Sequence, residues 1–303
     1  MTKILNFGSL NLDYVYNVDH FVRAGETLAS SKRSVFCGGK GLNQSIALAR
    51  AGADTYHAGA IGPEGDSLVG ILNESNVNTQ FTKKIDLPTG HAIIQREPNG
   101  QNCILLFGGA NQNITSEEVD ATLSHFSSGD YVILQNEINR VDEIIRKAKK
   151  RGMKVVLNPS PMNKDLLDFP LDLVDIFILN EIEANEICKE DDHSKLLDTL
   201  CKLFPEAAVV LTLGEKGVEY QDPSLSAPLS QKIYKVNVVD TTAAGDTFTG
   251  YFITSIIAGK SKSEALDIAS KASAIAVSRP GAAPSIPTLD EVLSTGLKNI
   301  IEF

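Results

Sequence analysis

Two short stretches of this 303-residue chain hold residues able to do chemistry. In Val239-Asp-Thr-Thr-Ala-Ala-Gly-Asp-Thr-Phe248, small residues run into the apolar spacing Phe252, Ile253, Ile256 and Ile257, which predicts a helix. N–H groups at such a helix start point outward and carry the positive end of the helix dipole, so they can bind an anion. Asp246 falls in that first turn next to those donors, where N-terminal capping or dipole stabilisation would also place an acid. The second stretch, Phe36-Cys-Gly-Gly-Lys-Gly-Leu-Asn-Gln-Ser45, sets three glycines and Lys40 ahead of a helical run at 46–50. It is not a Walker loop, because Gly41 follows the lysine where Ser or Thr is required. Nor is it a dinucleotide fingerprint, since Gln44 occupies the third glycine position. Close backbone access beside Lys40 and Asn43 suits a polyhydroxyl ligand; a tight strand-to-helix turn is the alternative.

The elements that must position these stretches alternate. Apolar runs at 4–7, 131–134, 154–157, 176–179 and 208–213 read as buried strands, with amphipathic stretches between most of them. That rhythm predicts an α/β fold, a doubly wound, mostly parallel sheet flanked by helices, over one domain at 1–303. Regions 14–36 and 90–107, the latter with a Pro98-Asn-Gly100 turn, alternate with period two and predict antiparallel hairpins: a small separate β sheet, or ordinary edge strands. Apolar content of 43% and 22% charged residues fit a folded chain, and a net charge of -10 disfavours nucleic acid and anionic membranes. Cys37, Cys103, Cys188 and Cys201 form no CxxC pair, residues 1–8 lack a signal-like apolar region, and no stretch is long enough to span a bilayer, so a cytoplasmic location is expected.

Asp240-Thr-Thr-Ala-Ala-Gly-Asp246 resembles the second signature of the ribokinase-like (PfkB) carbohydrate kinases, and Gly38-Gly-Lys-Gly-Leu-Asn-Gln44 is similar to the first. Gly8-Ser-Leu-Asn-Leu-Asp13 resembles the family's sugar-binding stretch, Asn180-Glu-Ile-Glu183 its magnesium-associated segment and Thr212-Leu-Gly-Glu-Lys-Gly217 its nucleotide-binding segment. The resemblance implies ATP-dependent phosphorylation of a sugar's primary hydroxyl. Asp246 would be the base, and the N–H groups of Ala243, Ala244 and Gly245 would stabilise the transferring phosphoryl. Asn11, Asp13, Lys40, Asn43 and Glu137 match ribose-contacting positions of the family, with Gly39 and Gly41 beside them, so D-ribose is the expected acceptor. ATP would meet Asn180, Thr212, Gly214, Glu215, Gly217 and Gly245. Mg2+ is implied at Asn180 and Glu183 through water, although their spacing alone predicts a capping box.

Ala276-Val-Ser-Arg-Pro-Gly-Ala-Ala-Pro-Ser285 is similar to the loop that binds potassium in this family. With Asp240 and Thr242, the resemblance implies K+ at Ala276, Arg279, Gly281 and Ser285; read from the residues alone, the loop is a helix stop. The hairpins would form a lid over the sugar and pair two subunits. Leu42 and His91 depart from the usual residues and are expected to reshape the sugar pocket. Three rivals stay open. A nucleoside kinase would use an apolar or aromatic shelf, as from Tyr14, Tyr16 and Phe107. A phosphosugar kinase would need lid cations such as Arg23, Lys32 and Arg33. A non-catalytic sugar-binding regulator would keep only the fold.

Overall fold

The computed structural model describes residues 2–190 and 192–297. The chain starts with β1 (Lys3–Phe7), β2 (Asn11–Asn17) and β3 (Lys32–Gly38), followed by α1 (Lys40–Arg50), β4 (Asp54–Ile61), α2 (Asp66–Glu74) and β5 (Asn78–Lys84). A second hairpin, β6 (Gly90–Arg96) and β7 (Asn102–Phe107), precedes α3 (Ser116–Leu123). Next come β8 (Tyr131–Gln135), α4 (Val141–Lys150), β9 (Lys154–Asn158), β10 (Ile176–Asn180), α5 (Glu181–Cys188), α6 (Leu196–Leu203) and β11 (Ala208–Thr212). β12 (Val218–Gln221) and β13 (Leu229–Gln231) follow, then α7 (Ala244–Ile257), α8 (Lys262–Val277) and α9 (Leu289–Ser294).

The large sheet has the order β13-β12-β11-β10-β9-β8-β1-β4-β5 and is parallel from β11 to β5, with β12 and β13 antiparallel at one edge. Ile4, Ile133, Val156, Ile178 and Val210 face the layer of α1, α7 and α8, while Leu5, Val132, Val155, Phe177 and Val209 face α3 to α6. Strands buried on both faces need apolar residues at every position, which is why all five expected runs appear as strands. β4 and β5 carry no such run and are found only in the structure. No helix of the described residues is long and apolar enough to cross a membrane.

The second sheet, β3-β2-β6-β7, stands apart from the large one. Its two hairpins are antiparallel as expected, but β2 and β6 pair in parallel, from Asn11 opposite Gly90 to Asn17 opposite Arg96. The reason is topological: β2 follows β1 and β6 follows β5, so both leave the large sheet from the same rim. The first glycine stretch also differs from expectation, because α1 begins at Lys40 and takes Lys40 and Asn43 into its opening turn. α1 and α7 pack closely, and a Cβ on Gly250 of α7 would come within 2.4 Å of the Ala47 Cβ.

Candidate active site

The parallel strands end along one rim, where a cavity of about 690 Å3 opens beneath the small sheet. On one side it gathers Asn11, Asp13, Gly39, Lys40, Asn43 and Glu137. On the other lie Asn180, Glu183, Thr212, Asp240, Thr242 and Gly281, with Ala243, Ala244, Gly245 and Asp246 between the two sides. Seven expected residues are off its wall. Gly41 packs against Ser9, where a Cβ would meet the Ser9 nitrogen at 2.3 Å. Gly214, Glu215 and Gly217 form the turn between β11 and β12. Ala276 and Ser285 are fully buried, and Arg279 pairs with Glu291 at 2.6 Å.

α7 starts without a side-chain cap. Ala243 takes the left-handed conformation, φ 62°, and turns the chain into the helix. Such a left-to-right-handed step makes a concave nest of N–H groups. The Ala244 N–H bends back to Thr241 O at 3.3 Å, and the first regular helical bond is Thr247 N–H to Ala243 O at 2.8 Å. The Gly245 and Asp246 N–H groups therefore have no backbone acceptor among the described residues. A Cβ on Gly245 would meet no heavy atom within 4 Å, so this glycine serves close approach from the cavity rather than packing. Asp246, 6% exposed, accepts from Gln44 Nε2 at 2.9 Å and from Asn43 Nδ2 at 3.1 Å. Asn43 Oδ1 is buried with no partner among the described residues, an unpaired acceptor beside the Asp246 carboxylate.

The opposite wall is made of side chains. Glu137 accepts from Ser9 Oγ and from the Lys40 N–H at 2.9 Å, and burial raises its pKa, with Ser9 and Lys40 offsetting part of the rise. Burial, then the charge of Glu137, pushes the Asp13 carboxyl up to about 7. Burial would lower the Lys40 ammonium, but Asp246, Glu137 and Glu183 outweigh it and hold its pKa above the ordinary value. Asn11 Oδ1 accepts from Asn111 Nδ2 at 2.8 Å. Gly38 makes room for Asp13, since a Cβ there would lie 2.0 Å from Asp13 Oδ2.

Across the cavity, Asn180 and Glu183 form a capping box on α5, with bonds of 2.9 and 3.0 Å. Asp240 ties two loops together, accepting from Thr242 N–H at 2.9 Å and Gly281 N–H at 3.2 Å. Burial alone would raise its pKa; the bonds from Thr242 and Gly281, with the nearby charge of Arg96, leave it lowered. Carboxylate, nest and cation thus form a site able to hold a phosphate chain against a hydroxyl.

Several participants escape sequence reasoning: Gln44, Asn111, Ser9 and Arg96. Gln44 follows Asn43 directly, yet only the helical phase of α1 shows that both reach Asp246. Other expectations need correction. Leu42 is buried in the core and His91 packs with Tyr14 and Phe107, ring centroids 5.7 and 4.9 Å apart, so neither lines the cavity. Tyr14, Tyr16 and Phe107 are off its wall too, and Arg33 covers Tyr14 at 5.1 Å. Alternation along β2 and β7 turns these rings to the outer face of the small sheet; Phe36 is the one aromatic residue on the wall among the described residues.

A model of the pfkB family carbohydrate kinases matches residues 1–289. The chain is 35% identical over 306 residues to the ribokinase of Staphylococcus aureus (strain COL), spanning 96% of this chain and 98% of that one. To the ribokinase of Haemophilus influenzae it is 36% identical over 304 residues, spanning 97% and 98%. The ribokinase of Cryptococcus neoformans var. grubii serotype A, solved in complex with ADP, superposes with a TM-score of 0.86 at 31% identity over 96% of this chain and 98% of that one. The Arabidopsis thaliana ribokinase complexed with ribose and ATP gives 0.85 at 28% identity over 97% and 98%. With near-complete matches on both sides and an open helix N-terminus beside a held carboxylate, the chain belongs to the pfkB family of carbohydrate kinases.

Proposed function

We propose that this ATP-dependent carbohydrate kinase phosphorylates D-ribose at its primary hydroxyl, giving D-ribose 5-phosphate and ADP. The observation that carries the reading is one cavity in which the Asp246 carboxylate, the open start of α7 and the Asp13–Glu137 wall converge. Asp13 and Glu137 accept hydroxyl donors, while Asn11, Lys40 and Asn43 answer the remaining oxygens and Gly39 lets the sugar approach. Asp246 takes the proton of the ribose O5 as that oxygen attacks the γ-phosphorus. The O5–phosphorus bond forms, the bond to the bridging oxygen breaks, and ADP leaves with that electron pair. The N–H groups of Ala243 and Gly245, and that of Ala244 once it leaves its 3.3 Å bond to Thr241 O, meet the developing charge. The nucleotide would run past Asn180 and Thr212 toward the turn of Gly214, Glu215 and Gly217.

The relatives named ribokinase, one of them solved with ribose and ATP, support this acceptor. Tyr14, Tyr16 and Phe107 face outward and offer a nucleoside base no shelf, which leaves Phe36 as the aromatic residue on the wall among the described residues. ADP release measured on ribose, other pentoses, nucleosides and fructose phosphates tests the reading: ribose is expected to be turned over fastest, and a faster nucleoside would overturn it.

Glu183 and Asn180 line the cavity as a hard-oxygen pair, one carboxylate and one amide a helical turn apart, which fits Mg2+ held through its waters. Bound with ATP, the ion neutralises phosphate charge. Asp240 bridging the 240–242 and 279–285 loops supports K+ held with Thr242, Ala276, Arg279, Gly281 and Ser285; exchange of K+ for Na+ is expected to lower kcat. The outer face of the small sheet exposes Val35, Ile93, Leu105 and Phe107, Leu105 by 67%, which supports a homodimer through the lid. Sedimentation of Leu105→Asp should then show a lighter species than the parent. Four unpaired cysteines and ATP as donor support a cytoplasmic setting.

A further inference from the structure

We infer that Gln44 is a positioning residue for Asp246, the near end of a one-way chain of buried amides that crosses the core to His57. The inference rests on Asp246 being the base. Its argument is one of donors and acceptors. A carboxylate only accepts, so Gln44 must turn Nε2 toward Asp246 Oδ1, 2.9 Å away, which leaves its own Oε1 to accept. Gln135 Nε2 fills that acceptor at 2.6 Å and also donates to Asn6 Oδ1 at 2.9 Å. Asn6 must then donate through Nδ2, to Gly41 O at 2.7 Å and Ser45 Oγ at 2.8 Å. Ser45 Oγ lies 2.8 Å from His57 Nδ1. Each amide has a single allowed direction, dictated by the charge at one end.

Asn6, Gln44, Ser45, His57 and Gln135 are all fully buried. Burial pushes the His57 pKa down to about 3, so the far end stays neutral through the working pH range. The chain carries a defect that packing alone would not favour: Gln135 Oε1 is buried without a partner among the described residues, in space that exists because residue 8 is glycine. What the defect accompanies is a fixed carboxylate plane. Asn43 holds Oδ2 and Gln44 holds Oδ1, each with one amide N–H, so both oxygens of the carboxylate are tied to α1. The charged groups whose fields reach this site are Lys40 at the start of α1, Glu137 after β8 and Glu183 on α5.

The test compares Gln44→Met, Gln135→Met and Asp246→Asn in the whole protein, which leaves those three charges in place. Gln44→Met is expected to lower kcat by about 10- to 100-fold, keep the ribose KM within about 3-fold, and move the acid limb of the kcat–pH profile up. Gln135→Met, one amide further out, should move the limb the same way by less. A residue that only packs would lower thermal stability without moving the limb. Should Gln44→Met not fold, Gln135→Met carries the test. An unmoved limb in both methionine variants, with Asp246→Asn inactive, overturns the positioning role and leaves the base. Turnover retained in Asp246→Asn overturns both.

Discussion

Two helix N-termini face the same cavity, and they are finished differently. At α1 the first donors are taken inside the protein: Lys40 N–H by Glu137, Gly41 N–H by Ser9 Oγ at 3.2 Å, and Leu42 N–H by Ser9 O at 3.0 Å. At α7 the Gly245 and Asp246 N–H groups find no backbone acceptor among the described residues. A helix start with its donors already satisfied has no field left for an anion; one with donors exposed to a cavity does. α1 therefore presents side chains, Lys40 and Asn43, and α7 presents backbone. Side chains can discriminate between sugars, whereas main-chain N–H groups hold a phosphoryl whatever the acceptor.

The largest effect that tests this division is at the proposed base. Asp246→Asn should lower kcat by about 10³-fold, within the range for a lost general base, while ribose affinity measured by calorimetry stays near that of the parent. Loss of sugar binding instead would move Asp246 to the sugar wall. Next in size is a pair of glycines. Gly245→Val puts carbons into open cavity, so kcat should fall by about 10²-fold with little change in Tm. Gly41→Ala drives a Cβ to 2.3 Å from the Ser9 nitrogen and should cost about 1–3 kcal/mol of stability. Equal losses of Tm in the two variants would break the comparison.

The same contrast explains what was legible in the sequence. The α7 start is contiguous, Asp240 through Asp246 followed by an apolar helix, so the anion hole can be read from one segment, and the resemblance adds Asp246 as the base. The proposed sugar wall draws on β2, the α1 start and the loop after β8, and resemblance rather than pattern brings those residues together. Gln44, Gln135 and Asn6 leave no periodic signal, because buried amides are specified by partners distant in the chain. The five apolar runs gave the parallel sheet, yet the parallel pairing of β2 with β6 depends on where two strands leave the large sheet, which spacing does not record.

The sugar wall should also titrate. Burial, then Glu137, lifts the Asp13 carboxyl from 3.8 to about 7. An acid raised in the folded state keeps its proton where the unfolded chain has lost it, so its stabilising contribution is complete below about pH 4 and lost as pH rises through about 7. The ligand-free protein should lose on the order of 1–3 kcal/mol from this group between pH 5 and 8. Asp13→Asn should flatten that part of the Tm–pH curve, and a slope unchanged in the variant would assign it to another group.

The smallest expected effect belongs to the lid. Arg96 ends β6 on the cavity face, held by Asn102 Oδ1 at 3.4 Å, and its charge helps lower Asp240. If the division between walls holds, a lid cation over the Asp240 loop acts on the phosphate chain and not on the sugar. Partly solvated charges are worth about 1 kcal/mol or less, so Arg96→Ala should raise the KM for ATP roughly 3- to 5-fold and leave that for ribose unchanged. The effect should shrink with added salt, as screening predicts. A rise confined to the ribose KM would instead make the lid tip part of the acceptor site, and would reopen the case for an acceptor that already carries a phosphate.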